Sequence, residues 1–209
     1  MANEVFFVEK QIHLTPNPNG IANLYLRNEA QLIQGQDNDP NTGNGTLSVF
    51  QEGKASEYTY NYWSSPVDKL PGKDQFEEII YEPQTRLLSR KANFTNELNG
   101  KANPLTISAK WIYKLQGSNY GEWKYLGNNF NLDAGEGFTM KGVEGVNNSV
   151  NLYGVSNNPG NEQRYDFRGK PNNGLIVQQV RTAEVKLIGN PYPSALDLNA
   201  FLLNNSNIT

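Results

Sequence analysis

Short apolar runs with a period of two, separated by turn residues, constrain the fold of this chain more than any other feature. Ala22, Leu24 and Leu26 alternate with more polar neighbours, and Trp111 and Tyr113 recur at the same spacing. Such alternation is typical of half-buried strands. The 30 asparagines, 19 glycines and 11 prolines supply residues that favour turns. The sequence therefore predicts a mainly β chain, an antiparallel β-sandwich or jelly-roll-like domain with one short helix near the C-terminus.

Two segments give the clearest strand patterns. Trp111, Tyr113 and Leu115 alternate before a Gly-Ser-Asn turn, and Trp123 and Tyr125 alternate after it. This arrangement predicts a β-hairpin. The run RYDFR at 164–168 places its two aromatic residues on one face of a strand and its three charged residues on the other. We expect a return strand at 175–180.

The region 68–105 has weaker patterns. A short helix is expected at 75–81, with Asp74 and Glu77 as its capping residues, because Phe76, Ile79 and Ile80 follow a helical spacing. A strand is expected at 85–89 and a polar loop at 91–104.

The segment EVKLIGNPYPSALDLNAFLL at 184–203 predicts a strand, a rigid corner and an amphipathic helix. Prolines 191 and 193 push the residues before them to extended conformations. Ser194 and Asp197 have the spacing of a helix capping box. We therefore expect a β-rich domain at 1–183 and a strand, corner and helix at 184–209. The alternatives for this segment are the start of a second unit that is cut short and a helix that packs back on the first domain.

Composition excludes several classes of function. The net charge of −3 and the pI of about 5.3 do not provide the basic surface that nucleic-acid binding needs. No apolar run is long enough to span a membrane as a helix. The chain has no cysteine, so thiol chemistry is absent, and its first residues lack the pattern of a signal peptide.

The residues offer little for hydrolytic catalysis. His13 is the single histidine and has no nucleophile motif beside it. Paired carboxylates for glycoside hydrolysis would have to come from a small set whose spatial separation the sequence does not give. The set comprises Glu77, Glu78, Glu82, Glu136 and Asp166. We expect a protein that is not an enzyme, with a glycoside hydrolase as the remote alternative.

The loop GQDNDPNTGNG at 35–45 has an alternation of oxygen-bearing side chains. Asp37, Asp39 and Asn41 follow the spacing of the first half of a calcium loop. Thr42 stands where such a loop has glycine, and Ser48 where it has a bidentate glutamate. The alternatives are a calcium site and a solvated hairpin loop, and no other cofactor is expected.

Aromatic residues offer a second binding hypothesis. Trp63, Trp111, Tyr113 and Trp123 are candidates for a platform on which sugar rings stack. Alternating aromatic residues in a sheet also pack in the core or pair across strands. We expect Trp111, Tyr113 and Trp123 to be at least partly buried on their hairpin.

Three strings carry a resemblance: YNYWSSPV at 60–67, RYDFRGKP at 164–171 and LIGNPYPSA at 187–195. Together with LYLRNEAQLIQG and GTLSVFQEG, they resemble a β-rich region of large adhesin-like proteins of the Bacteroidota, mainly flavobacteria, that the type IX secretion system exports. The resemblance covers most of residues 20–203 and implies no catalytic residue.

The resemblance implies a non-enzymatic structural or adhesion module at the outer cell surface or outside the cell. Its partners would be the secretion machinery during export and then surface glycans or the surface of a host or neighbouring cell. A carbohydrate-binding module that uses surface aromatic residues is the alternative.

Overall fold

The structure is a computed structural model that describes residues 4–19, 21–35, 39–54, 56–70, 72 and 75–206. Strands hold 40% of the residues and helical turns 7%, which confirms the prediction of a mainly β, sandwich-like fold. The strands are β1 (Val5–Val8), β2 (Leu24–Leu26), β3 (Gln31–Gln34), β4 (Leu47–Gly53), β5 (Tyr60–Trp63), β6 (Val67–Asp68), β7 (Ile80–Pro83), β8 (Ser89–Lys91), β9 (Asn93–Thr95), β10 (Lys101–Ala102), β11 (Leu105–Ser108), β12 (Tyr113–Gly117), β13 (Trp123–Tyr125), β14 (Phe138–Lys141), β15 (Asn147–Leu152), β16 (Val155–Asn158), β17 (Gln163–Pro171) and β18 (Val185–Lys186). Single 3-10 turns occupy Phe76–Glu78 and Ala109–Trp111, and helix α1 spans Leu198–Asn204.

Two sheets form the body of the fold. The first has the order β2-β4-β17-β7-β8, with β6 also paired to β17. The second has the order β13-β12-β14-β5, with β18 also paired to β12. Smaller sheets join β1 to β3, β10 to β11 and β9, and β15 to β16. The predicted hairpin is confirmed as β12 and β13, in which Tyr113 lies opposite Tyr125.

The core lies between the two main sheets. Tyr165 and Phe167 of β17 are fully buried, as are Phe138 and Met140 of β14. Trp63 of β5 bridges the sheets, because its ring packs edge-on against Tyr165 at 5.3 Å between centroids and lies 6.0 Å from Phe167. This contact joins the YWSSPV and RYDFRGKP strings in one cluster.

The corner string closes on the same cluster. A Cβ atom on Gly189 would lie 2.5 Å from the Cβ of Ser64, so the two backbones approach too closely for a larger residue. Asn172 donates to the carbonyls of Ser65 and Pro191, at 3.3 and 2.7 Å. The three strings that carry the resemblance are therefore neighbours in space.

Not every strand pair is antiparallel as predicted. β2 pairs with β4, β1 with β3, and β9 with β11 in parallel registers. Turn residues in the sequence mark where strands end but do not specify which strands pair. The parallel pairs could therefore not be predicted from the period-two pattern.

The C-terminal helix begins later than the capping-box spacing predicts. Asp197, not Ser194, is the N-cap, and its carboxylate accepts from the backbone N–H of Ala200 at 2.9 Å. The corner is tied to β3 instead: Leu32 N donates to the carbonyl of Pro193 and Ala195 N to Gln31 Oε1, both at 2.8 Å. These bonds hold the bent segment 192–194 against β3, so the helix begins only after residue 197.

The strand before the corner belongs to the second main sheet. Val185–Lys186 pairs with β12, and Ile188 forms a bridge with Glu136. Residues 184–189 therefore complete a sheet that earlier residues build. The idea that the corner opens a further unit stays a prediction.

Four local predictions were wrong. The helix expected at 75–81 is one 3-10 turn followed by β7, which pairs with the central strand β17; Asp74 lies outside the described residues. The strand expected at 85–89 starts only at Ser89, and the expected loop at 91–104 contains β9 and β10. The segment 175–180, expected to be a return strand, pairs with no strand in the described part of the chain, and Leu175 is 84% exposed.

No helix among the described residues is long and apolar enough to cross a membrane.

The charged face of β17 is buried as well. Asp166 is fully buried and accepts hydrogen bonds from Arg168 Nε at 2.7 Å, Ser89 Oγ at 2.6 Å and Ser48 Oγ at 2.5 Å. Ser48 Oγ in turn accepts from Arg27 Nη2 at 2.7 Å. Two arginines and one carboxylate thus form a hydrogen-bonded network that joins β4, β8 and β17 to Arg27, the residue after β2.

Burial raises the pKa of the Tyr165 phenol above its ordinary value. The unfolded chain therefore releases this proton near pH 10 while the folded chain retains it, and stability is lost as the pH rises above 10. We expect Tyr165→Phe to remove about 1.4 kcal/mol of this loss per pH unit. Urea unfolding at pH 8 and at pH 11 would measure it, and equal alkaline losses in both proteins would contradict the prediction.

Candidate functional site

Seven aromatic side chains share the outer side of the second main sheet, and we call this surface the aromatic face. The strand register places Tyr125, Tyr113, Thr139 and Tyr62 in one row across four strands. Further ring contacts connect the neighbours of this row. The aromatic face consists of Tyr60, Tyr62, Trp111, Tyr113, Tyr120, Trp123 and Tyr125.

The rings of the aromatic face hold one another in place while several remain open to solvent. Tyr62 and Trp123 lie parallel to within 9°, with centroids 6.1 Å apart. Tyr120 packs edge-on against Trp123, and its hydroxyl lies 2.9 Å from the hydroxyl of Tyr62. Tyr62 is 59% exposed and Tyr120 is 62% exposed. The surface is therefore ordered by contacts within itself, and no element among the described residues covers it.

A shallow pocket of about 270 Å³ lies within the aromatic face. Thr139 is buried at its base, where its hydroxyl donates to the carbonyl of Trp111 at 3.1 Å and accepts from Tyr113 N at 3.2 Å. The rim is aromatic, consisting of Tyr60, Tyr62, Tyr113, Tyr120 and Trp123. An apolar pocket with a few phenol groups at its edge suits a ligand that has both flat apolar faces and hydroxyl groups.

Two electrostatic features accompany these rings. The ammonium of Lys141 lies 3.8 Å from the ring centroid of Trp111 and 5.1 Å from that of Tyr60, which are cation–π contacts. The hydrogen bond to Tyr120 and burial raise the pKa of Tyr62, and burial raises the pKa of Tyr60. Both phenols are therefore neutral at physiological pH and can donate or accept hydrogen bonds.

The structure separates the four predicted sugar-stacking residues. Trp111, Tyr113 and Trp123 lie on the aromatic face and are half-buried, as predicted. Trp63 has the opposite orientation and packs in the core against Tyr165. Adjacent residues of a strand point to opposite faces, so Trp63 and its neighbour Tyr62 serve different sides of the sheet.

Sequence reasoning missed the most exposed members of the aromatic face. Tyr60 and Tyr62 contact Trp111 and Trp123 yet stay 45% and 59% exposed, because β5 has one strand neighbour among the described residues. Tyr120 lies in the hairpin turn, where no strand periodicity applies. The alternation of Tyr60 and Tyr62 was the available signal for an aromatic surface.

A larger cavity, the corner cleft, lies beside the aromatic face. It has a volume of about 580 Å³ and is bounded by β4, the end of β5, the turn before β3 and the corner at 187–195. Tyr62 lines both this cleft and the aromatic pocket, so the two cavities adjoin.

The turn that borders the corner cleft has an unfavourable residue. Asn28 and Glu29 both have positive φ, 55° and 63°, and Ala30 N donates to the carbonyl of Arg27 at 3.0 Å. A turn with two positive φ values favours Asn-Gly. Glutamate at the second position costs roughly 1–2 kcal/mol in backbone strain.

The five carboxylates considered for hydrolysis all have protein partners. Glu82 accepts from Arg90 Nε at 2.6 Å and from Leu105 N at 2.9 Å. The others pair as Glu77 with Asn128, Glu78 with Lys91, Glu136 with Lys114 at 2.7 Å and Asp166 with Arg168 at 2.7 Å. These contacts tie strands and turns together, which is a structural role.

The loop considered for calcium is only partly described. Asp37 lies outside the described residues, and Asp39 is exposed. Asn41 is buried, and its Oδ1 accepts from Ile12 N at 2.7 Å and from Gln34 Nε2 at 2.9 Å. Both acceptor sites of this oxygen are thus occupied, so Asn41 does not support the calcium hypothesis, which stays a prediction. No group of three acidic or histidine side chains suited to a metal occurs in the described ranges.

The single histidine, His13, contacts a threonine: its Nδ1 lies 2.9 Å from Thr42 Oγ1.

Comparison with known proteins identifies a family for this chain. No curated protein and no solved structure matches the chain. Residues 3–209 match a family described as a domain of unknown function, DUF8693. Since the match covers almost the whole sequence, the chain belongs to the DUF8693 family.

Proposed function

We propose that this protein is a non-enzymatic adhesion module of a secreted or cell-surface protein and that it binds glycans on its aromatic face. The observation that carries the proposal is the open arrangement of Tyr60, Tyr62, Tyr120 and Tyr125, which are 45% to 62% exposed on one sheet surface. Large exposed apolar patches on soluble proteins commonly mark interaction sites.

Carbohydrate is the ligand class that fits this chemistry best. A pyranose ring has an apolar C–H face that packs on an aromatic plane and hydroxyl groups at its edge that meet phenols. The near-parallel Tyr62 and Trp123 rings offer such planes, and the neutral phenols offer hydrogen bonds. Nucleic-acid bases also stack on aromatic rings, but a chain of net charge −3 lacks the cationic surface that phosphates require.

Two further observations support the non-enzymatic, extracellular part of the proposal. The carboxylates considered for hydrolysis hold strands and turns together, which supports a binding role over glycoside hydrolysis. The strings that resemble secreted adhesin-like proteins converge around Trp63, so the resemblance concerns the folding core. We propose the outer cell surface or the medium as its location, with export through the type IX machinery.

The test is glycan binding by paired variants of the aromatic face. We expect isothermal titration with soluble β-1,4-linked glucan and chitin oligosaccharides to detect binding, because these sugars present flat apolar faces. Trp123→Ala and Tyr62→Ala should each weaken it by at least about tenfold, equivalent to about 1.4 kcal/mol.

Tyr58→Ala is the matched control. Tyr58 is 76% exposed and lies in the turn before β5, outside the aromatic face. It should bind like the unmodified protein. Equal weakening by Tyr58→Ala and Trp123→Ala, or no binding across a broad glycan array, would contradict the proposal.

A further inference from the structure

The corner cleft carries polar groups that the fold does not use. Glu29, which is exposed, and Gln51, which is half-buried, line it, and the side chain of neither has a hydrogen-bond or ion-pair partner among the described residues. The other amides of this region are engaged: Gln31 accepts from Ala195 N, and Asn190 accepts from Tyr192 N. Glu29 and Gln51 are therefore available to a ligand.

The position of Glu29 adds a second observation. Its φ of 63° strains the backbone of a residue with a side chain, and glycine would relieve that strain. Strained residues cluster at ligand sites, where the side chain has a use that offsets the strain. Glu29, the strained residue, lines the corner cleft.

The cleft and the aromatic pocket have complementary chemistry. The aromatic pocket offers ring planes and phenols, whereas the cleft offers a carboxylate, an amide and the edge of β5. Tyr62 lines both cavities, so a ligand that stacks on Trp123 and Tyr62 lies beside the cleft. A carboxylate accepts strong hydrogen bonds from vicinal sugar hydroxyls.

We propose that the aromatic pocket and the corner cleft are two subsites of one groove, and that the groove selects an extended neutral oligosaccharide over a single sugar. Glu29 and Gln51 hold one end of the oligosaccharide by hydrogen bonds, and Tyr62 joins the subsites. This inference rests on the proposed function, because it extends the same site.

The test is a ladder of cello-oligosaccharides and chito-oligosaccharides, from one sugar residue to six, titrated against the full chain. We expect the affinity to rise at least tenfold between the disaccharide and the longest member that fills both subsites. Glu29→Gln and Gln51→Leu should each remove most of this gain while leaving the affinity for the disaccharide unchanged. Glu162→Gln, a surface carboxylate that lines neither cavity, is the matched control and should behave like the parent.

A further variant separates loss of folding from loss of the subsite. Glu29→Gly should raise the melting temperature, since it relieves strain, and should still lose the gain with chain length. If longer oligosaccharides bind no more tightly than the disaccharide, or if the Glu29 and Gln51 variants keep the gain, the two-subsite inference is wrong. The proposed function survives that result provided that Trp123→Ala still weakens disaccharide binding, and both fail if it does not.

Discussion

Replacement of Asp166 by alanine is expected to destabilise the protein by about 3–5 kcal/mol. The carboxylate is fully buried, and its removal leaves the buried guanidinium of Arg168 without a counter-charge. It also removes the acceptor of Ser48, through which Arg27 joins the network. Urea unfolding followed by tryptophan fluorescence measures the change, and Asp166→Asn, which keeps the shape, should recover only part of it.

Glu162 provides the control for this prediction. It pairs with Lys54 at 3.8 Å, and the side chains of Glu162 and Lys54 are 30% and 86% exposed. Exposed pairs contribute about 0–1 kcal/mol, so Glu162→Gln should have a small effect. A loss for Asp166→Ala as small as that for Glu162→Gln would show that burial does not set the strength of these pairs.

Trp63→Ala is expected to have a similarly large effect, about 3–5 kcal/mol. The indole joins the two main sheets through Tyr165 and Phe167, and Gly53 is small enough to admit it: a Cβ there would lie 2.6 Å from Trp63 Cζ2. Thermal unfolding monitored by circular dichroism should show a lower midpoint and an unchanged folded spectrum at low temperature.

Trp123→Ala is the matched substitution, since the same residue type is removed from the other side of the same sheet. It should lower the stability less than Trp63→Ala does, because the Trp123 ring rests on the aromatic face beside Tyr62 and Tyr120 and not between the sheets. A greater loss of stability for Trp123→Ala would reverse the assignment of core and surface.

The sequence predicts the class of fold because the alternation of apolar and polar residues along a strand involves only residues that are close in sequence. The hairpin of β12 and β13 and the two-faced pattern of β17 follow from alternation alone. The parallel pairs do not, because pairing partners are set by packing between distant segments. The late start of α1 has the same origin: bonds from β3 to Pro193 and Ala195 override a local capping signal.

The sequence predicts that the candidate site is aromatic, but it does not predict which residues belong to it. Three of the four aromatic candidates lie on the aromatic face, whereas Trp63 lies in the core, because the sequence alone does not state which face of a strand meets the other sheet. Glu29 carried no signal, since its importance arises from a positive φ and from the cleft that the distant corner completes.

The position of β17 at the centre of the larger sheet has a consequence for how the chain folds. β17 lies between β4 and β7, and Arg164 pairs with Glu52 across 112 positions of the sequence. Until β17 is synthesised, β4 and β7 lack the strand that joins them. The core therefore cannot form step by step as the chain emerges. Topologies dominated by such distant pairings fold over roughly milliseconds to seconds. Folding of this protein is therefore a late and collective event, in which β4 and β7 keep open edges until the last third of the chain arrives.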